Sequence, residues 1–230
     1  DFVKIMMTGA RSVELENPET TQATRPEAAA RGGEVHRQGY RVAAHCEGLE
    51  GTVLAIEEGI DTIEHGLYLH ERPDLLEKLA ARDGVLVPTL SFLADVAEQR
   101  HDNWSEHLVE RGAYNVEQAG KTLRAAIDIG VPIAMGFDSK PEEKAASELK
   151  LMVDAGMSPN DALVAATSTG AMALGLDNLI GTVETGKLAD LIVVDGDPLE
   201  DIGVLVDPDR IHLVFRGGMA VAGTAQTPTL

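Results

Sequence analysis

Short apolar runs alternate along this chain with helix-like stretches, and that alternation restricts it to one fold class. The runs fall at 1–7, 41–46, 61–66, 84–91 and 131–139. Between them lie a segment with Pro26 in its first turn and Gly39 at its end, then 51–58 closed by Gly59, then 73–82. A long stretch over 104–129, stopped by Gly130, places Leu108, Ala119, Leu123 and Ile127 on one side. Units repeating at about 20 to 45 residues join parallel strands through right-handed helical crossovers. The expected fold class is therefore α/β, a (β/α)8 TIM-like barrel with five strands in this chain where a closed barrel needs eight.

Four of the runs carry, at or near the end, a side chain suited to holding a cation or moving a proton: Lys4, His45, His65 and Asp138. In a parallel sheet such ends lie on one side, where barrel enzymes build their active sites. Taken singly, each has a plainer role. Lys4 suits a surface lysine, His45 and His65 suit satisfied core histidines, and Asp138 suits the cap of a helix starting near residue 142. Their order along the chain favours the shared site. The polar, Pro-containing segment 8–25 reads as a loop over that site. Cys46 follows His45 directly, and because neighbours in a strand point to opposite faces it is expected to pack away from the site. Glu47, two residues after His45, is left open as a residue behind the ligands. Thr89, late in its strand, could hydrogen-bond substrate, but an ordinary β-branched strand residue is the better reading; His70, a few residues past its strand, could line the pocket but reads better as a loop histidine. His36, His101, His107 and His212 are expected on the surface or in packing.

The chain has 230 residues, a net charge of −19 and a single cysteine. Acidic residues spread along the whole length disfavour nucleic acid and anionic membrane as partners. One cysteine excludes an internal disulfide and a cysteine-rich zinc module. Without an apolar run of about 20 residues or a signal peptide, a cytoplasmic location is expected. The first residues lie inside an apolar strand pattern with no initiator Met, as if the chain began within a larger sequence. Past residue 175 the pattern changes to short strands at 181–183, 189–195 and 211–216 separated by Gly and Pro. A boundary is placed there, with a barrel portion over 1–175 and a β-sandwich appendage over 176–230.

The segments Val3-Lys4-Ile5-Met6, Arg41-Val-Ala-Ala-His45, Asp61-Thr-Ile-Glu-His65-Gly, Val87-Pro-Thr-Leu, Gly136-Phe-Asp138 and Gly186-Lys-Leu-Ala-Asp-Leu-Ile-Val-Val-Asp-Gly-Asp-Pro together resemble the metal-dependent amidohydrolase superfamily. The similarity is to its imidazolonepropionase-like and Xaa-Pro dipeptidase-like branch. It implies that Lys4 is the fourth-strand lysine that carbon dioxide converts to a carbamate bridging two metals, expected to be zinc. It implies that His45 and His65 are the fifth- and sixth-strand ligands of one metal. Asp138 matches the eighth-strand aspartate, which binds the other metal and handles the proton of the attacking water.

Two departures qualify what is expected. The family's His-x-His pair at the end of the first strand has no counterpart in this sequence, and Gly136-Phe-Asp138 stands where Gly-Thr-Asp is frequent. A free ammonium repels cations, so Lys4 can act as a ligand only as a neutral amine or a carbamate, and its apolar neighbours Phe2, Val3, Ile5 and Met6 are expected to favour that by desolvation. The implied activity is hydrolysis of a carbon–nitrogen bond by metal-activated hydroxide, with a small amide, Xaa-Pro dipeptide or cyclic amide as substrate. The implied partners are the N-terminal portion of the enzyme, as a second chain or a further segment, and other subunits of an oligomer. The alternative is a truncated or partner-dependent, non-catalytic fragment.

Overall fold

A computed structural model describes residues 2–11, 16–98, 104–138 and 145–223. Four strands, β1 (Phe2–Met6), β2 (Arg41–Cys46), β3 (Thr62–His65) and β4 (Val85–Val87), form one parallel sheet in the order β1-β2-β3-β4. Sequential parallel order is what consecutive βα units produce. A parallel bridge between Leu86 and Ile133 extends the sheet by a further segment.

Helices α1 (Arg25–Arg37), α2 (Leu49–Glu57), α3 (Pro73–Ala80), α4 (Leu90–Ala97) and α5 (Glu106–Ile129) alternate with the strands, and α6 (Ser147–Asp154), α7 (Pro159–Ala166) and α8 (Ser168–Ala173) follow. The local reasons are those the chain spells out. Glu27 reaches back to the Thr24 N–H (2.8 Å) at the start of α1, the reciprocal half of a capping box. Gly39, at φ +81, and Gly130, at φ +83, end α1 and α5 in the left-handed region that glycine tolerates. On α3 the apolar stripe Leu75, Leu76 and Leu79 is fully buried, worth about 1.5–3 kcal/mol per side chain.

Three segments differ from expectation, each for a local reason. The strand expected over 84–91 stops at Val87, because Pro88 has no N–H for the ladder and Thr89 turns left-handed (φ +49) to start α4. The one over 131–138 is reduced to the bridge at Ile133, next to Pro132. The stretch 159–174, which has the sequence pattern of a single helix, breaks at Thr167 (φ −121, ψ −90) into α7 and α8. Residues 142–144, where a helix was expected to begin, and His101 lie outside the described residues.

Beyond residue 176 a three-stranded antiparallel sheet forms from β5 (Leu191–Val194), β6 (Ile211–Arg216) and β7 (Met219–Gly223). The strand expected at 181–183 does not form. The unforeseen strand, β7, is joined to β6 through Gly217 (φ +56) and Gly218 (φ +82), the paired positive-φ turn that a tight hairpin prefers. Among the described residues no helix is long and apolar enough to cross a membrane.

The first turn of α2 lies against the end of β1. A Cβ on Gly51 would come within 2.5 Å of Thr8 Cγ2 and 2.6 Å of the Met7 carbonyl oxygen, which already accepts from Gln22 N at 2.8 Å. Gly51→Ala is therefore expected to destabilise the fold by about 1–3 kcal/mol, despite the better helix propensity of alanine. A urea midpoint at or above the wild-type value would refute this.

Candidate metal centre

Arg41 and Ala43 of β2, Thr62 and Glu64 of β3, and Ala134 and Gly136 line a cavity of about 380 Å³. Alternation along β2 puts His45 on this inner face and Cys46 on the other, and Cys46 is indeed fully buried in the main core. Burial pushes its thiol up to about 12, which leaves a packing residue. The cavity runs toward the strand N-termini, whereas the candidate ligands sit at the opposite, C-terminal ends. None of His45, Glu47, His65 and Asp138 lines it.

By the same alternation His65 should point away, because His45 pairs with Glu64, and Cys46 with His65. The structure resolves this by its backbone. His65 has φ +69, a left-handed twist at the last residue of β3 that turns the imidazole back over the strand ends. Thr89 (φ +49) and Asp138 (φ +46) share that conformation. Non-glycine residues held there cost about 1–3 kcal/mol each and cluster at functional sites.

His65 Nε2 lies 3.0 Å from His45 Nδ1, and the rings meet edge to face with centroids 4.7 Å apart. His65 Nδ1 lies 2.6 Å from Thr89 Oγ1, and His45 Nε2 lies 3.3 Å from the Gly9 carbonyl oxygen. A carbonyl only accepts, so His45 Nε2 carries a hydrogen and its Nδ1 has the lone pair. His65 Nε2 must then donate to it, and the Thr89 hydroxyl donates to His65 Nδ1. The partners thus assign one continuous chain of neutral imidazoles. Asp138 Oδ2 stands 3.9 Å from His65 Nε2.

Glu47, left open by sequence reasoning, belongs to this group. One ligand atom each from His45, Glu47 and His65 lies within 4.8 Å of the others, and Glu47 Oε2 is 4.0 Å from His45 Nε2. Its carboxylate accepts from the Arg11 N–H, and its own N–H donates to Thr8 Oγ1 at 2.9 Å, so the segment after β1 clamps it. The available signal was the i, i+2 spacing from His45. Thr89 was missed because Pro88 ends the strand in which it was expected to stand.

Lys4 sits exposed on β1. Phe2, Val3 and Met6 are exposed too, so the expected desolvation by apolar neighbours is lacking on this side. The Lys4 charge nonetheless reaches the cluster. Burial lowers the pKa of His65 well below its ordinary value, with His45 and Lys4 adding to the effect. Burial likewise lowers His45, against the Gly9 contact and with Lys4. Burial raises Asp138 while Lys4 opposes it, and it pushes Glu47 up to about 7 against the Arg11 contacts. His70 is committed elsewhere. Thr122 Oγ1 donates to the Leu67 carbonyl at 2.9 Å and accepts from His70 Nδ1 at 3.1 Å.

These shifts set a sign. Below the ordinary imidazole value of 6.5 the unfolded chain protonates at position 65 and the folded chain does not, so the unfolded state binds more protons and stability decreases as the pH is lowered. Wild type should therefore lose stability relative to His65→Asn as pH falls below 6.5, with a slope approaching about 1.4 kcal/mol per pH unit, and the difference should be flat above. Urea titrations from pH 5 to 8 check it. A pH-independent difference would contradict the buried neutral assignment.

Comparison with known proteins gives the family of this chain. Residues 1–221 match the model of the amidohydrolase family. Ochratoxinase of Aspergillus niger is 30% identical over 98% of this chain and 47% of its own length. Imidazolonepropionase of Symbiobacterium thermophilum is 28% identical over 80% of the chain and 37% of its own. The solved Xaa-Pro dipeptidase with bound methionine in its active site superposes at a TM-score of 0.87, with 33% identity over 97% of this chain and 55% of that one. The chain thus spans about half the length of the relatives it matches. With the family model covering nearly all of it, this chain belongs to the amidohydrolase family.

Proposed function

We propose that this chain supplies the Lys4, His45, His65 and Asp138 part of a metal-dependent hydrolase that cleaves a carbon–nitrogen bond in a small amide, dipeptide or cyclic amide. The observation that carries the reading is the buried pair of neutral imidazoles, 3.0 Å apart, with the Asp138 carboxylate 3.9 Å away. That donor set suits a divalent first-row ion such as zinc, for which imidazole and carboxylate are preferred ligands. His45, His65 and Asp138 would hold it, with Glu47 in reach. Lys4, converted to a carbamate, would join them in holding a pair of zinc ions, as the family resemblance implies. When bound, the metal supplies a water acidified to near neutrality and polarises the scissile carbonyl.

The protein's own part follows from its residues. Asp138 Oδ2 takes the proton of the attacking water and delivers it to the departing amine nitrogen, which would otherwise leave as an unstable anion. Its raised pKa suits both transfers. The packed walls around His45 and His65 keep both rings neutral and free of bulk water. The Thr89 hydroxyl, able to donate or to accept, holds His65 in either tautomer.

The strand order supports placing β1 to β4 and the segment at Ile133 as strands four to eight of a (β/α)8 barrel over 1–175, with 176–230 contributing to a β-sandwich. The rest of that barrel would come from the N-terminal portion of the enzyme. A second reading is that this polypeptide alone is non-catalytic, and the exposure of Phe2 (51%) and Met6 (46%) on the edge strand β1 favours it. Metal content and molecular mass separate the two. Zinc in the purified protein, with hydrolysis of N-acyl amino acids or Xaa-Pro dipeptides, supports the enzyme, and a metal-free monomer of 24.4 kDa supports the fragment. Asp138→Asn is expected to lower kcat by about 10²- to 10⁴-fold. Full activity in that variant would rule out the assigned role.

A further inference from the structure

Outside the ligand cluster, the most unusual group in the molecule is Glu148 on α6. It is fully buried (0% exposed), and no cation is paired with it among the described residues. It is held by the start of α4. Its Oε1 accepts from Leu90 N at 2.8 Å, and its Oε2 accepts from Ser91 N at 2.7 Å and Ser91 Oγ at 2.5 Å. Burial pushes its carboxyl up to about 7, against these hydrogen bonds.

The first N–H groups of a helix have no partners within the helix, and the side chain of the N-cap residue normally accepts from one of them. In α4 the N-cap residue is Thr89, and its side chain makes no capping bond. Its hydroxyl is turned to His65 Nδ1, 2.6 Å away, and its backbone is held at φ +49. The cap comes instead from a residue far along the chain. Glu148 takes over the task that Thr89 would perform in an ordinary helix, and so leaves the Thr89 hydroxyl for the imidazole.

We propose that Glu148 is a positioning residue for His65: by capping α4 from α6 it holds Thr89 in its left-handed conformation with its hydroxyl against His65 Nδ1. Without the carboxylate, the unpartnered Ser91 N–H draws the Thr89 hydroxyl oxygen into the conventional capping position, a rotation of the side chain that carries its O–H away from His65 Nδ1. Thr89 then leaves His65, whose orientation loosens. Partners that orient a ligating histidine typically change metal affinity by about 10- to 100-fold when removed. The link to metal rests on the function proposed above, whereas the link from Glu148 to His65 does not.

The test uses the 230-residue chain as wild type, Glu148→Gln, Thr89→Ala and the double variant. Two readouts are needed: the imidazole ¹⁵N resonances of His65 in metal-stripped protein, and zinc affinity by chelator competition. Glu148→Gln should shift the His65 Nδ1 resonance toward that of Thr89→Ala and weaken zinc binding by about 10- to 100-fold. In the Thr89→Ala background it should add little, because both changes break one linkage. Unchanged His65 resonances in Glu148→Gln, or losses that simply add in the double variant, would overturn the proposal. Should Glu148→Gln fail to fold, Ser91→Ala removes one donor to the same carboxylate and should move the His65 resonance the same way by less. No movement there would equally overturn the proposal. Wild type that binds no zinc would refute the metal reading, while the His65 resonances would still decide the role of Glu148.

Discussion

The site depends on one contact, the 3.0 Å approach of His65 Nε2 to His45 Nδ1, and that contact depends on a backbone angle. Parallel pairing brings Glu64 opposite His45, so a regular strand would carry His65 to the outer face with Cys46. The left-handed twist at His65 reverses that, and the next residue tolerates the turn because it is glycine. A Cβ on Gly66, itself at φ +61, would fall 2.8 Å from Leu86 Cδ1. The twist therefore survives in a tightly packed setting, with Leu86, Ile63 and Leu69 fully buried around it.

Around this contact the chain places groups that are costly to bury. Two imidazoles, Glu47 and Glu148 are all nearly or fully enclosed. Each is tolerated because its polar atoms are answered: Glu47 by Arg11 and Thr8, Glu148 by the start of α4, His65 by Thr89. An unanswered polar group in such a place costs about 1–3 kcal/mol. Enclosure has a chemical result too. It lowers the imidazoles and raises the carboxyls, which keeps the histidines in the lone-pair form a cation requires and makes the carboxylates more basic.

Much of this was legible in the chain. Strands at 41–46 and 61–66, the glycine stops at Gly39 and Gly130, and the outward packing of Cys46 follow from alternation and capping, which act between near neighbours. The placement of His45, His65 and Asp138 at one end of the sheet followed from a single topological rule, that consecutive βα units align their strand ends. What escaped was of another kind. Thr89 reads as a strand residue because it is β-branched and follows an apolar run, although Pro88 interrupts that run. The hairpin at Gly217-Gly218 has a local signal in its paired glycines. Glu47 was in view as a neighbour of His45, but its inward placement depends on being clamped by the segment after β1, 36 residues away from it in the chain.

The sequence by itself determined the α/β class, the order of the units and which titratable side chains stand at the strand ends, because hydrophobic period, capping and turn chemistry are local properties. Only the tertiary structure decided that His65 turns inward against its own pleat, that Thr89 serves an imidazole instead of its helix, and that Glu148 supplies the missing cap. Each of these depends on groups distant in the chain meeting in a space too tight to leave a polar atom unpaired, and no local pattern encodes that meeting.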